Sequence, residues 1–231
     1  MSKLAFKDFK MKIKFAFLLV LIHLSVFAQL PKGFVYVQDI IPDIHLELRY
    51  CSYNNFVGKP VEGYNGDVLV FSEAATKALK NVQDELRKKG LGLKVFDAYR
   101  PQQAVNNFSE WAKNVDDTLM KQAFYPNVDK RNLFKEGYIA SKSRHSSGST
   151  IDLTIVDLKS GEELDMGTPF DFFGRSSWYL HEDLTELQKS NRTLLHDVMI
   201  KHGFRHYPKE WWHFTLRGEP FRNQYFDFPV E

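Results

Sequence analysis

The stretch Ser143-Arg144-His145-Ser146-Ser147-Gly148-Ser149-Thr150-Ile151-Asp152-Leu153-Thr154 decides how the rest of the chain is read. Its first half is rich in Ser and Gly, the composition of a turn, and Gly148 relieves the backbone where that turn is tightest. Its second half alternates. Ile151, Leu153 and Ile155 fall on one side, and Asp152, Thr154 and Val156 on the other. Such alternation predicts a strand with one buried face. Turn and strand together let His145 and Asp152 face one point. A carboxylate buried in a strand without a partner costs on the order of several kcal/mol. A metal ion relieves that cost, and so does a buried arginine.

The complement of this stretch lies much later, at Glu210-Trp211-Trp212-His213. Trp211, Trp212, Phe214 and Leu216 are strand formers, and the two tryptophans read as core. Glu210 and His213 are three apart, so a flat strand sends them to opposite faces. Both reach one point only if Glu210 sits in a turn before the strand or the strand is bulged; Pro208 favours the turn. Two imidazoles, His145 and His213, with Asp152 and a spare carboxylate on Glu210, make the minimum set for a catalytic zinc site. Three ligands hold the ion, an open position takes water, and a carboxylate beside it takes the proton. The sequence has no Gly-x-Ser-x-Gly elbow for a serine nucleophile and no His-Glu-x-x-His helix. A single cysteine, Cys51, excludes a disulfide framework and a cysteine-based zinc site.

The pattern Ser-x-His-x-x-Gly-Ser-x-Ile-Asp-Leu-Thr followed by Glu-x-Trp-His resembles the zinc D-alanyl-D-alanine dipeptidases. Asp97-Ala98-Tyr99-Arg100-Pro101 and Leu164-Asp165-Met166-Gly167-Thr168-Pro169-Phe170-Asp171 match in the same order, so the resemblance runs from about Gly33 to the C-terminus. It implies an α+β fold of the D-Ala-D-Ala metallopeptidase (Hedgehog/D,D-peptidase) type, one domain with a central, mainly antiparallel sheet flanked by helices. It implies one Zn2+ per chain on His145, Asp152 and His213, with Glu210 as general base. It implies that Arg100 polarises the scissile carbonyl and stabilises the oxyanion. Ser143 matches a group near the substrate carboxylate, and Tyr50 and Asp171 match groups near its ammonium. The spacing of Asp97 and Arg100 lets the carboxylate hold the guanidinium in place. The implied reaction is hydrolysis of the D-Ala-D-Ala dipeptide. Two alternatives stand beside it: a zinc D,D- or L,D-carboxypeptidase or endopeptidase acting on peptidoglycan stem peptides, and a secreted cell-wall binding module with a structural metal.

A formal net charge of +2 argues against a nucleic-acid partner bound by phosphate neutralisation. At 231 residues the chain suffices for one domain with a sizeable core. The N-terminus is read apart from it. Lys7, Lys10, Lys12 and Lys14 precede an apolar run from Phe15, which ends in the small-residue spacing Val26-Phe27-Ala28. This predicts a signal peptide over residues 1–28 and a catalytic domain over 29–231. Met11 is an alternative start. The expected product is exported, periplasmic or secreted, with no stable membrane anchor after cleavage.

Other elements follow from local signals. A strand is expected near Leu46 to Tyr50, and a loop over Asn54 to Gly66 along the rim of the site. A helix starts at Ser72 and stops at Lys88-Lys89-Gly90. A strand over Leu91 to Phe96 delivers Asp97 and Arg100, and a helix runs from Pro101 to Lys113. A short helix is expected at Asp117 to Phe124. The longest helix is placed at Asp183 to His202, capped by His181, Asp183 or a near neighbour, with Leu184, Leu187, Leu194, Leu195, Val198 and Met199 inward. His45, His181, His196, His202 and His206 read as surface or helix-end residues. His206 lies close enough in sequence to Glu210 for the rim of the site.

Overall fold

Local signals place most of the elements. In chain order the computed structural model, which describes residues 30–231, runs β1 (Phe34–Tyr36), β2 (His45–Leu46), β3 (Val70–Ser72), α1 (Glu73–Arg87), β4 (Leu91–Asp97), α2 (Gln102–Lys113), α3 (Lys121–Phe124), α4 (Leu133–Glu136), β5 (Thr150–Asp157), α5 (Glu186–Lys201), β6 (Phe204–His206) and β7 (His213–Leu216). The signal-peptide reading of residues 1–28 lies outside the described residues. Lys32–Glu231 form one compact unit.

The central sheet has five strands in the order β2-β4-β5-β7-β6, and β1 pairs with β3 in a separate antiparallel ribbon. Only β2–β4 is parallel; the other neighbours are antiparallel. Helices α1 and α5 pack on the sheet and on each other. The expected α+β architecture, mainly antiparallel with flanking helices, is the one observed. Ser72 caps α1 by accepting from the amide of Ala75.

The register of the sheet builds the site. Asp97 at the end of β4 lies opposite Asp152 on β5, and Asp152 lies opposite His213 on β7. The three residues form a row across three strands. Directly opposed residues share a face of the sheet, so their side chains emerge together.

Several sequence expectations need correction. Strand β5 does not have one buried face: every residue from Thr150 to Val156 is buried. The strand lies between β4 and β7, and the face bearing Asp152 is roofed by the site itself. The strand expected at Leu46 to Tyr50 shortens to His45–Leu46. Register shifts between Val95 and Asp97, and beyond Leu46 single amide bonds from Glu47 and Arg49 to β4 replace a regular ladder. The helix expected from Asp117 shrinks to α3, because Asn114 to Thr118 is taken up by turns. The longest helix begins at Glu186 rather than Asp183. Thr185 and Gln188 form a reciprocal capping box there, and Leu187 faces solvent at 64% exposure. The irregular tail is nevertheless tied down. Phe226 N donates to Ser146 O (2.9 Å), Ser147 Oγ to Gln224 O (2.8 Å), and Gln103 N to Asp227 Oδ1 (2.6 Å).

Candidate metal centre and pocket

His145 lies in a 3-10 turn, Arg144–Ser147, that Ser143 opens and Gly148 closes. The Ser143 hydroxyl accepts from the amide of His145 at 3.3 Å, and Gly148 takes a left-handed conformation at φ 74°. The His145 ring is fixed from behind: Nδ1 lies 2.7 Å from Ala98 O. A carbonyl can only accept, so Nδ1 carries the proton and Nε2 presents its lone pair forward.

That lone pair faces His213 and Asp152. His145 Nε2 is 3.4 Å from His213 Nδ1 and 3.3 Å from Asp152 Oδ2. His213 Nδ1 is 3.0 Å from Asp152 Oδ1. That oxygen is buried and has no partner in hydrogen-bonding geometry. One ligand atom from each of His145, Asp152 and His213 lies within 4.8 Å of the others. Converging lone pairs and an orphaned carboxylate oxygen are the signature of a cation site, and two imidazoles with one carboxylate suit zinc. Burial holds His145 below the usual imidazole range, so it is neutral, as a ligand must be. Burial pushes Asp152 upward, but the two histidines outweigh it and keep the carboxylate ionised. His213 is drawn upward against its burial, chiefly by Asp152. A cation between them would replace that attraction.

Glu210 stands in the turn before β7, as the three-residue spacing requires. Its amide donates to Tyr207 O and its carbonyl accepts from the amide of His213. Its carboxylate Oε2 is 3.4 Å from His213 Nδ1. Burial raises the carboxyl to about 7. His206 Nε2 lies 3.2 Å from the Glu210 carbonyl, while its ring packs against Tyr179, His196 and Phe214. His206 is thus partly buried beneath this turn, not a surface residue.

Arg100 is locked. Nε and Nη2 each lie 2.9 Å from Asp97 Oδ2, and Nη2 is 3.5 Å from Asp152 Oδ2. The guanidinium carbon sits 5.1 Å from the Tyr50 ring centroid and 5.2 Å from that of Phe108. The other Asp97 oxygen accepts from Tyr64 Oη at 2.6 Å. Sequence reasoning missed Tyr64; an aromatic residue inside the Gly- and Asn-rich loop was the available signal. Tyr50, against whose ring Arg100 rests, donates its Oη to Asp171 Oδ2 at 2.8 Å. Asp171 is buried, and burial followed by the charge of Asp152 pushes its carboxyl well above the usual range. Its φ of 61° is left-handed, a backbone state that a non-glycine residue keeps only when its surroundings impose it.

These groups line one cavity of about 270 Å³. Ser143, Tyr50, Asp171, Arg100, Glu210 and the three metal-facing residues all border it, and Phe56 brings the predicted rim loop to its edge. Asp97 stands behind Arg100, outside the lining. A sequence profile of the D-ala-D-ala dipeptidase family of peptidases matches residues 31–231.

The chain belongs to this family.

A D-alanyl-D-alanine dipeptidase of Enterococcus faecium is 39% identical over 199 residues, covering 86% of this chain and 98% of that relative. A D-alanyl-D-alanine dipeptidase of Escherichia coli is 33% identical over 177 residues, covering 77% and 81%. Among solved structures, the LdcB LD-carboxypeptidase aligns over 84% of this chain and 72% of that one, with a TM-score of 0.42 and 20% identity.

Proposed function

We propose that this D-Ala-D-Ala dipeptidase family member hydrolyses the free dipeptide D-alanyl-D-alanine to two molecules of D-alanine. The observation that carries the reading is the meeting of His145, Asp152 and His213 beside Glu210 in one pocket. His145, Asp152 and His213 would hold a zinc ion, which would supply Lewis acidity for activating water near pH 7 and polarising the scissile carbonyl. The protein does the rest. Glu210 takes the proton from the attacking water. Burial favours the protonated carboxyl, which suits Glu210 to return that proton to the leaving amine. Arg100, immobilised by Asp97 and two aromatic faces, offers a positive charge to the oxygen that becomes an oxyanion. Because the guanidinium is already fixed, no reorganisation is spent when charge develops.

The two ends of the substrate are assigned to different groups lining the cavity. Asp171 with Tyr50 takes the ammonium, and Ser143 lies at the carboxylate end. A site that answers both charges selects dipeptides, because a longer peptide buries a polar group without its partner. Purified protein is to be incubated with free D-Ala-D-Ala and with a pentapeptide ending in D-Ala-D-Ala, each with and without chelator. Chelator-sensitive turnover of the dipeptide alone is the expected result. Equal or faster cleavage of the pentapeptide would move the assignment to a carboxypeptidase. The mature enzyme is assigned outside the cytoplasm, from the basic and apolar N-terminal segment. Sequencing of exported protein should begin at Gln29, and an uncleaved N-terminus would overturn that part.

A further inference from the structure

Arg192 on α5 is 1% exposed, yet among the described residues no carboxylate lies within ion-pair distance of it. Its guanidinium is spent wholly on backbone. Nε donates to Met166 O at 2.7 Å, Nη2 to Ser176 O at 2.9 Å and Nη1 to Trp178 O at 2.6 Å. Burial pulls it down to about 10 from the usual arginine value, still charged at neutral pH. A buried cation with no carboxylate in contact is costly, and the charge of Asp165 offsets only part of that cost from longer range. Here three carbonyl dipoles offset that cost, and they come from both ends of one loop.

That loop, residues 166–178, carries Asp171 at its apex. Neighbours on α5 grip the same entry: Asn191 Nδ2 donates to Asp165 O at 2.9 Å and Gln188 Nε2 to Asp165 Oδ2 at 2.9 Å. The loop has little regular structure of its own, only a 3-10 turn at Arg175–Ser177. Its apex residue sits in a left-handed conformation that a relaxed chain would leave. Joining the two ends of a loop removes most of its closure entropy, so a side chain that binds both ends restricts the apex without touching it.

We propose that Arg192 is the positioning residue for substrate-amine recognition: it clamps both ends of the 166–178 loop and so sets Asp171 against the ammonium of the dipeptide. The inference rests on the reading of Asp171 as the ammonium partner. Arg192 lies outside the cavity lining and bonds to none of the three metal-facing residues. Lysine at this position keeps the charge but cannot bridge three carbonyls.

The test compares D-Ala-D-Ala with N-acetyl-D-Ala-D-Ala, which lacks the ammonium. R192K should keep full zinc content. It should lower the preference for the free dipeptide, as a ratio of kcat/KM, by about tenfold or more, chiefly through KM. In a D171N background R192K should change that preference by less than about twofold, because one interaction cannot be lost twice. Asn191→Ala, which removes a neighbouring anchor and leaves the guanidinium, should shift the preference in the same direction and serves if R192K does not fold. Additive effects of R192K and D171N, loss of zinc in R192K, or a preference unmoved by either Arg192 or Asn191 substitution overturns the inference. Should the wild-type enzyme cleave neither peptide, the proposed function falls separately, and hydrogen exchange decides the clamp. Faster exchange in R192K confined to 166–178 supports it, and exchange equal to wild type overturns it.

Discussion

In the proposed reaction Glu210 takes a proton and then returns it, and burial favours the protonated form from which it is returned. Glu210→Gln keeps the shape and removes the base. It should leave zinc stoichiometry unchanged and lower kcat by about 10²–10⁴-fold, measured by metal analysis beside steady-state turnover. Unchanged turnover with full metal would remove Glu210 from the reaction. His206, beneath the same turn, carries a pH prediction for stability. Burial first, then the charge of His196, lowers it to about 4 in the folded chain. The unfolded chain, with an ordinary imidazole near 6.5, therefore binds more protons between those values. Stability is full above about pH 6.5 and falls as pH drops toward 4. With the ring partly exposed, the loss attributable to His206 is roughly 1–2 kcal/mol. Urea unfolding from pH 7 to pH 4 in chelator should show a shallower decline for His206→Phe than for wild type. Parallel declines would mean that other groups carry it.

The decisive element is the 3-10 turn between Ser143 and Gly148. It joins a loop to β5 and aims His145 across the sheet at His213. Gly148 has φ 74°, and a Cβ there would stand 2.2 Å from the Phe34 ring. Phe34 cannot yield easily, since Tyr99, Phe221, Phe226 and Phe228 pack around it. Gly148→Ala should therefore cost roughly 2–4 kcal/mol, combining backbone strain with overpacking. It should also weaken zinc binding, because His145 shares the displaced turn. Thermal melting and zinc titration check both, and a melting temperature within a degree of wild type would show that the turn has slack. At this scale much was legible. The Ser- and Gly-rich composition gave the turn, alternation gave β5, and Pro208 gave the turn holding Glu210. Helix starts were less so: His181, Asp183 or a near neighbour was the expected cap of the longest helix, and the reciprocal Thr185–Gln188 capping box places its start at Glu186.

At the scale of the whole molecule, the extent of the core predicts a fold that survives loss of the metal. The sheet carries the metal-facing Asp152 and His213, but much of the buried core, among it Leu79, Val82, Leu86, Leu93, Leu195 and Met199, lies outside the cavity lining. Removing zinc should abolish turnover but leave a cooperative unfolding transition, unlike small domains that fold only around a metal. With zinc at about a thousand times its Kd, binding adds about 4 kcal/mol, so chelator should lower Tm by roughly 8–16 °C. Loss of far-UV circular dichroism in chelator would show instead that the metal holds the fold. What the sequence determined by itself was the local inventory: donors of the right chemical type, a turn and a strand to carry them, and an arginine three residues from its carboxylate. Such features depend on neighbours in the chain, so their patterns survive in one dimension. Tertiary structure alone decided the row Asp97, Asp152 and His213, the support of Asp97 by Tyr64, the burial of both faces of β5 and the grip of Arg192 on a distant loop. Each is a contact between segments far apart in sequence, fixed by strand register and packing, and nothing local to either partner encodes the meeting.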